Sequence, residues 1–393
     1  MAAQQTSVES AFPAARVTSV VLPEPSGGST EWALRIPSGE ERAVFTTPCD
    51  ARVLGSLQSD FCLMTIVSTI YGQLMLGRVG DTLVEVAACW AFVLLITGVY
   101  LWWPRQAGLL GTLVPRLSLK GRPLWRDLHA VPAFWNAIFV GFLILSGLPW
   151  AGFWGEQLAK LGTVSHMTTP SPNFSAPPSL AALGAEPAGG HAHHDDTTIP
   201  WAVRHATVPY ASGTAGNGIK LPRVMQVARQ QDLMKPGLKI DFPLDQTQLW
   251  RLSWVPDRAQ EQRTLYVHPR DGQVMQDLSF DKYSALGKAV EFGVMTHVGR
   301  QFGLINQLIC VLVCLLTVLI AVTGLVMWWQ RRPRGKLGAP ELPPAFRIPA
   351  TVTAITLICA VIFPLLGASL LIVLLLDYLV IARIQRLRYA FGN

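Results

Sequence analysis

Charge is what this chain has least of. Asp, Glu, Lys and Arg make up only 15% of its 393 residues, against 50% hydrophobic residues and 13 tryptophans. That balance lies outside the soluble globular range and points to membrane segments with extramembrane parts. Signatures of common chemistry are absent too. No P-loop, dinucleotide fingerprint or serine-histidine-acid arrangement occurs in context, so nucleotide binding and serine-type hydrolysis have no support. The six cysteines include no CxxC pair and no Cys/His finger spacing, which argues against a structural zinc module. Cys89, Cys310, Cys314 and Cys359 fall in apolar runs and read as small hydrophobes, whereas Cys49 and Cys62 could pair on an oxidising face. Residues 1–60 lack both an apolar signal core and a spanning run.

Long apolar runs are what the chain has instead. Residues 83–103, 131–150 and 304–329 each end on tryptophan and match the ~20 helical residues that cross a hydrocarbon core. The run 348–382 would be about 50 Å long as one helix, so Pro364 and Gly367 are read as breaking it into a hairpin of two short helices. Arg105, Arg116, Lys120, Arg122 and Arg126 follow the first run, and Arg331, Arg332, Arg334 and Lys336 follow the third. Both loops are therefore assigned to the cytoplasm, and the hairpin returns Arg383, Arg386 and Arg388 to the same side. The net charge of +7 belongs largely to these loops, which leaves no case for a nucleic-acid partner. Membrane lipid is the expected surrounding.

The chain also repeats itself. YGQLMLGRVGD from Tyr71, running to TGVYLWWPR, matches HVGRQFGLIN from His297, running to TGLVMWWQR. Gly77 pairs with Gly303, Thr97 with Thr323, Gly98 with Gly324 and Arg105 with Arg331, at a constant spacing of 226. Upstream of each copy, RAVFTTPCDARVLG from Arg42 matches RTLYVHPRDGQVMQ from Arg263. The unit is a small polar module followed by a transmembrane helix. Alternating runs at 250–254 and 263–268, closed by Arg270-Asp271-Gly272, read as strands joined through a turn. The organisation expected is a first outer module at 1–60, an amphipathic lead-in and helix at 61–104, a loop at 105–128 and a helix at 129–151. A second outer module at 152–290, with a Pro/Ala/Gly-rich insertion over 165–198, precedes a helix at 291–330, a loop at 331–347, the hairpin at 348–383 and a tail at 384–393. The fold class is mainly α: a transmembrane helical bundle with small α+β outer modules. Because a helix precedes the second module, duplication predicts one ahead of the first; a first segment that stays in the cytoplasm is the alternative.

Two of the eight histidines sit at membrane-helix starts: His129 in RDLHAVPAFWN and His297 in MTHVGRQFG. Ionisable groups there face a bundle interior or a site, unless they simply bond a carbonyl or headgroup at the interface. Gly299 and Gly303 leave room beside His297 for a flat macrocycle or a close helix, and imidazole is a usual axial ligand to haem iron. Tyr71 occupies the position matching His297; it is either a ligand, as tyrosinate can be, or a hydrogen-bonding aromatic. His191, His193 and His194, with Asp195 and Asp196, could collect a divalent ion or form a solvated tract of weak affinity.

The chain resembles the PepSY-associated transmembrane family of bacterial inner-membrane proteins, which includes ferric-siderophore reductases. The resemblance rests on the modules at 15–57 and 250–278, the Leu-Trp-Trp-Pro-Arg helix end at 101–105, Trp-Arg-Asp-Leu-His at 125–129 and His-x-Gly-x3-Phe-Gly-x2-Asn-Gln at 297–307. It implies PepSY-like periplasmic modules, b-type haem held by histidines, and electrons passed across the membrane to a ferric siderophore or other iron chelate. The family pattern places a histidine near the start of each of four helices. Here His129 and His297 match, so two haems in the full pattern become one or none. The cytoplasmic loops are too short to form a nicotinamide or flavin domain, so a separate electron donor is implied, and a homodimer could complete a haem site. The rival expectation is a non-redox binding or accessory protein with degenerate haem sites.

Overall fold

The computed structural model describes residues 1–24, 27–58, 62–103, 113–165, 199–204, 218–243, 249–333, 335–338 and 348–391. The chain divides into two compact units, one of residues 1–75 and 154–303, the other of residues 76–153 and 304–393.

The first unit is built on a sheet. After α1 (Ala2–Ala11), strands β1 (Arg16–Val21), β2 (Thr30–Arg35), β3 (Glu41–Thr46) and β4 (Val53–Gln58) lead into α2 (Leu63–Gln73). Later come α5 (Gly152–Ser165), which bridges the division, and α6 (Trp201–Arg204), α7 (Leu221–Gln230), β5 (Lys239–Asp241), β6 (Trp250–Trp254), β7 (Arg263–Val267), β8 (Val274–Ser279) and α8 (Ala285–His297). The two modules expected from the sequence share one antiparallel sheet of eight strands in the order β4-β3-β2-β1-β5-β6-β7-β8. The seam pairs Ser19 with Asp241, Val20 with Ile240 and Val21 with Lys239. On either side of it the halves mirror one another, α1 matching α7 and each β1–β4 strand its counterpart. Period-two burial drives this assembly: Thr30, Trp32 and Leu34 of β2 are buried while Glu31 and Arg35 are exposed. The core draws on both halves, with Val8, Val20, Trp32 and Val44 joined by Val224, Ile240, Leu252 and Leu265. The Trp32 indole donates to Thr46 Oγ1 at 2.9 Å, so this fully buried tryptophan leaves no polar atom unpaired.

The second unit is helical: α3 (Gly77–Trp102), α4 (Arg122–Gly147), α9 (Leu304–Arg331), α10 (Ala350–Ile362), α11 (Pro364–Leu376) and α12 (Gln385–Phe391). Among the described residues four segments are long and apolar enough to cross a membrane: Gly77–Trp102, Arg122–Trp150, Leu304–Arg331 and Pro364–Ile381. α10 is shorter, and Phe363, with ψ at 87°, breaks the backbone just before Pro364. Both α10 and α11 pack on α3, through an edge-on contact of Phe363 with Phe92 at 5.5 Å and a bond from Trp90 Nε1 to Ser369 Oγ at 3.0 Å.

Each repeat breaks at the same place. Between α2 and α3, Leu74, Met75 and Gly77 have φ of 51°, 59° and 57°, and between α8 and α9, Gly299 and Gly303 have φ of 79° and 61°. These are left-handed conformations that glycine adopts without strain and leucine or methionine do not.

Candidate functional site

His129 lies on α4, and its Nδ1 approaches two oxygens of α9. The Ile320 carbonyl is 3.0 Å away and Thr323 Oγ1 3.1 Å. A carbonyl can only accept, so the proton is on Nδ1 and the lone pair of the neutral ring is on Nε2. The Thr323 hydroxyl turns its own proton back to α9, 2.7 Å from the Leu319 carbonyl, and offers its lone pairs to the imidazole. Gly324 eases the approach: a Cβ there would lie 3.4 Å from His129 Cε1, at the near edge of van der Waals contact. Two turns along α4, buried Asn136 repeats the motif. Its Nδ2 donates to Thr317 Oγ1 at 3.0 Å and to the Val313 carbonyl at 3.3 Å. Near the other end, fully buried Asp127 takes Arg116 in a two-pronged pair at 2.8 and 3.2 Å and Arg126 at 3.2 Å, tying the preceding loop to the helix start. This pairing also raises the Arg116 pKa, keeping the guanidinium charged.

His297 ends α8 in the other unit. Its Nε2 stands 3.2 Å from the hydroxyl of Tyr71 on α2, so the two positions matched by the repeat meet in space. Tyr71 is 72% exposed. Gly299 and Gly303, expected to make room for a macrocycle, are required by the turn itself, since both have positive φ; beside Gly303 a Cβ would still meet open space. One of the two candidate ligand histidines thus falls in each unit. His191, His193 and His194 lie outside the described residues. Among the described residues no cluster of three or more His, Cys, Asp or Glu could hold a metal ion.

Several residues of these sites carry no signal in a one-dimensional reading. The Ile320 carbonyl is backbone, and Asn136 sits in an ordinary apolar run. Thr323-Gly324 was legible only as half of a repeated pair. Two buried acids were also missed: Glu85 on α3 accepts the Phe153 N–H at 2.9 Å, and Glu291 on α8 accepts that of Ala202 at 3.0 Å. Each compensates an N–H that burial would otherwise strand.

No curated protein matches the sequence. A family profile described as PepSY-associated TM region matches residues 1–331, which takes in both copies of the repeat from the first helix to the last residue of α9, and the chain belongs to that family.

Proposed function

We propose that the protein is an inner-membrane haem-binding electron-transfer protein with a ferric-siderophore reductase-like role, its PepSY-like sheet modules facing the periplasm. The observation that carries the reading is the hold on His129. A metal-ligating histidine characteristically gives its second ring nitrogen to a carbonyl or carboxylate, which fixes ring and tautomer; Nδ1 of His129 does this with Ile320, leaving Nε2 as the donor atom. His129 therefore fits an axial ligand as it stands. His297 fits only with Tyr71 withdrawn, because the Tyr71 hydroxyl faces its Nε2. Bound at His129, b-type haem would supply a one-electron iron couple. The chain's own residues do the rest: Ile320 and Thr323 orient the imidazole, Gly324 admits it, and Asn136 clamps α4 to α9. On the substrate side, one electron from a separate donor takes chelated Fe(III) to Fe(II), which hard oxygen ligands hold less well.

The second reading, a non-redox PepSY-type binding or accessory protein with degenerate haem sites, is favoured by the Tyr71–His297 contact, which engages one of the two candidate ligand atoms. The purified protein decides between them. A Soret band, with haem content by pyridine haemochrome lowered most by His129→Ala, supports the redox reading. Anaerobic mixing of the dithionite-reduced protein, freed of excess reductant, with ferric siderophores should then reoxidise it and release Fe(II) to a trap. Protein that carries no haem on expression with haem supplied belongs to the second reading.

A further inference from the structure

The helix α2 is amphipathic the wrong way round for water. At 100° per residue Leu63, Met64, Val67, Ile70, Tyr71 and Leu74 fall on one arc, while Thr65, Thr69 and Gln73 mark the opposite one. A surface helix turns its apolar arc to the core. Here that arc is the exposed one, with Leu63 at 74%, Val67 at 51% and Ile70 at 50%, and the polar arc is half-buried. No residue of α2 is fully buried. Its hydroxyls are satisfied within the helix: Thr69 Oγ1 donates to the Thr65 carbonyl at 2.7 Å and Ser68 Oγ to the same carbonyl at 3.0 Å.

The matching helix of the second repeat is built differently. Glu291 and Met295 of α8, which match Thr65 and Thr69, are buried, so both helices turn the same arc inward. On the outward arc α8 carries Ala289 and Thr296 where α2 carries Leu63 and Ile70. The first repeat has apolar bulk on the face that its fold leaves open.

We infer that the exposed arc of α2 is a lipid-docking surface: the helix lies along the membrane with Leu63, Val67, Ile70 and Leu74 seated at the boundary of headgroups and acyl chains. Continuity favours lipid over a protein partner. Only Leu74, Met75 and Leu76, all exposed, separate α2 from α3, a tether of at most about 15 Å to a helix of spanning length. From Leu63 to Gly77 no residue is charged, so the face lacks the polar rim that orients a protein partner, and its seating rests on apolar area rather than on attraction to anionic lipid. Tyr71, on the same arc, is an aromatic that favours headgroup level. The inference does not depend on haem being bound.

Nitroxide labels on the full-length protein test this. Cys49, Cys62, Cys310 and Cys314 are replaced by serine, each residue from 63 to 74 is replaced in turn by cysteine and labelled, and the protein is reconstituted in vesicles of zwitterionic phosphatidylcholine. Accessibility to oxygen and to a water-soluble nickel chelate then reads the depth of each label. The oxygen-to-nickel ratio should oscillate with the helical period, placing labels at 67 and 70 about 5–10 Å below the phosphates and giving minima at 65 and 69. Val67→Glu should lift the label at 70 to headgroup level, and an unchanged melting temperature shows that this variant still folds. Labels at 67 and 70 that the nickel chelate reaches freely overturn the inference, because the face then meets water. Labels there shielded from both reagents also overturn it, by making a second copy or another protein the occupant. So does a label at 70 that keeps its depth in Val67→Glu, since the apolar arc would then not be what seats the helix.

Discussion

Gly98 and Gly324 are the same residue in the same helix position of two repeats, and they should answer substitution in opposite ways. At Gly324 a Cβ would already lie 3.4 Å from the His129 ring, so Gly324→Val forces the imidazole out and should cost ~1–3 kcal/mol, the usual penalty for overpacking. Gly98→Val meets no neighbour and should change stability by less than about 0.5 kcal/mol. Reversible unfolding in mixed micelles compares the two; equal losses would mean that His129 does not rest on Gly324. A second residue-scale outcome concerns the bend after α2. Met75 is 60% exposed with φ at 59°, so Met75→Gly should raise stability by about 1 kcal/mol as left-handed strain is relieved. That Tyr71 and His297 hold matched positions was legible in the repeat, and symmetry that pairs like with like would make them meet. The chemistry of the contact was not, since sequence matching says nothing about which atoms touch.

Among elements, the α4–α9 pair is held by polar contacts two turns apart, and Asn136→Ala should weaken it by about 1 kcal/mol, the usual worth of an interhelical hydrogen bond in a membrane. The cost stays small because buried Asn136 Oδ1 has no hydrogen-bond partner to lose. In the sheet, Arg263 on β7 grips Asp277 on β8 at 3.0 and 3.1 Å. Desolvation pushes the Asp277 pKa up, but the hydrogen bonds and charges of Arg263 and Lys282 outweigh it and the pKa is lowered. A depressed carboxylate contributes stability that is present above its unfolded pKa of about 3.9 and lost as pH falls through the folded value. Stability of the wild-type sheet unit should therefore fall below about pH 4 by ~1 kcal/mol from this partly exposed pair, and Arg263→Ala should flatten that part of the pH profile. Helices and strands were readable at this scale, since apolar runs of spanning length and period-two alternation are strong local signals. The union of the two modules was not. It depends on three residue pairs between β1 and β5, and β5 is too short to show a pattern of its own.

For the molecule as a whole, the loop arginines predict which end of each spanning helix meets the cytoplasm. Cys49, exposed in the turn between β3 and β4, should react in spheroplasts with a membrane-impermeant maleimide at the rate seen in detergent-solubilised protein. Protection until the membrane is broken would place this module on the inner side. Beyond topology, the seam between β1 and β5 bears on how the chain is made. Roughly 220 residues separate the two strands, a loop whose closure costs about 5 kcal/mol of entropy, and two spanning segments must be threaded in between. The ribosome therefore releases β1 with its inner edge bare and keeps it waiting until both spanning segments and β5 have been made. Non-local pairing of this kind is slow and leaves an edge open to strangers. A nascent chain halted after α4 should accordingly offer β1 to protease, and one halted after β8 should not. Synthesis, rather than the finished protein, is where this fold is most exposed to error.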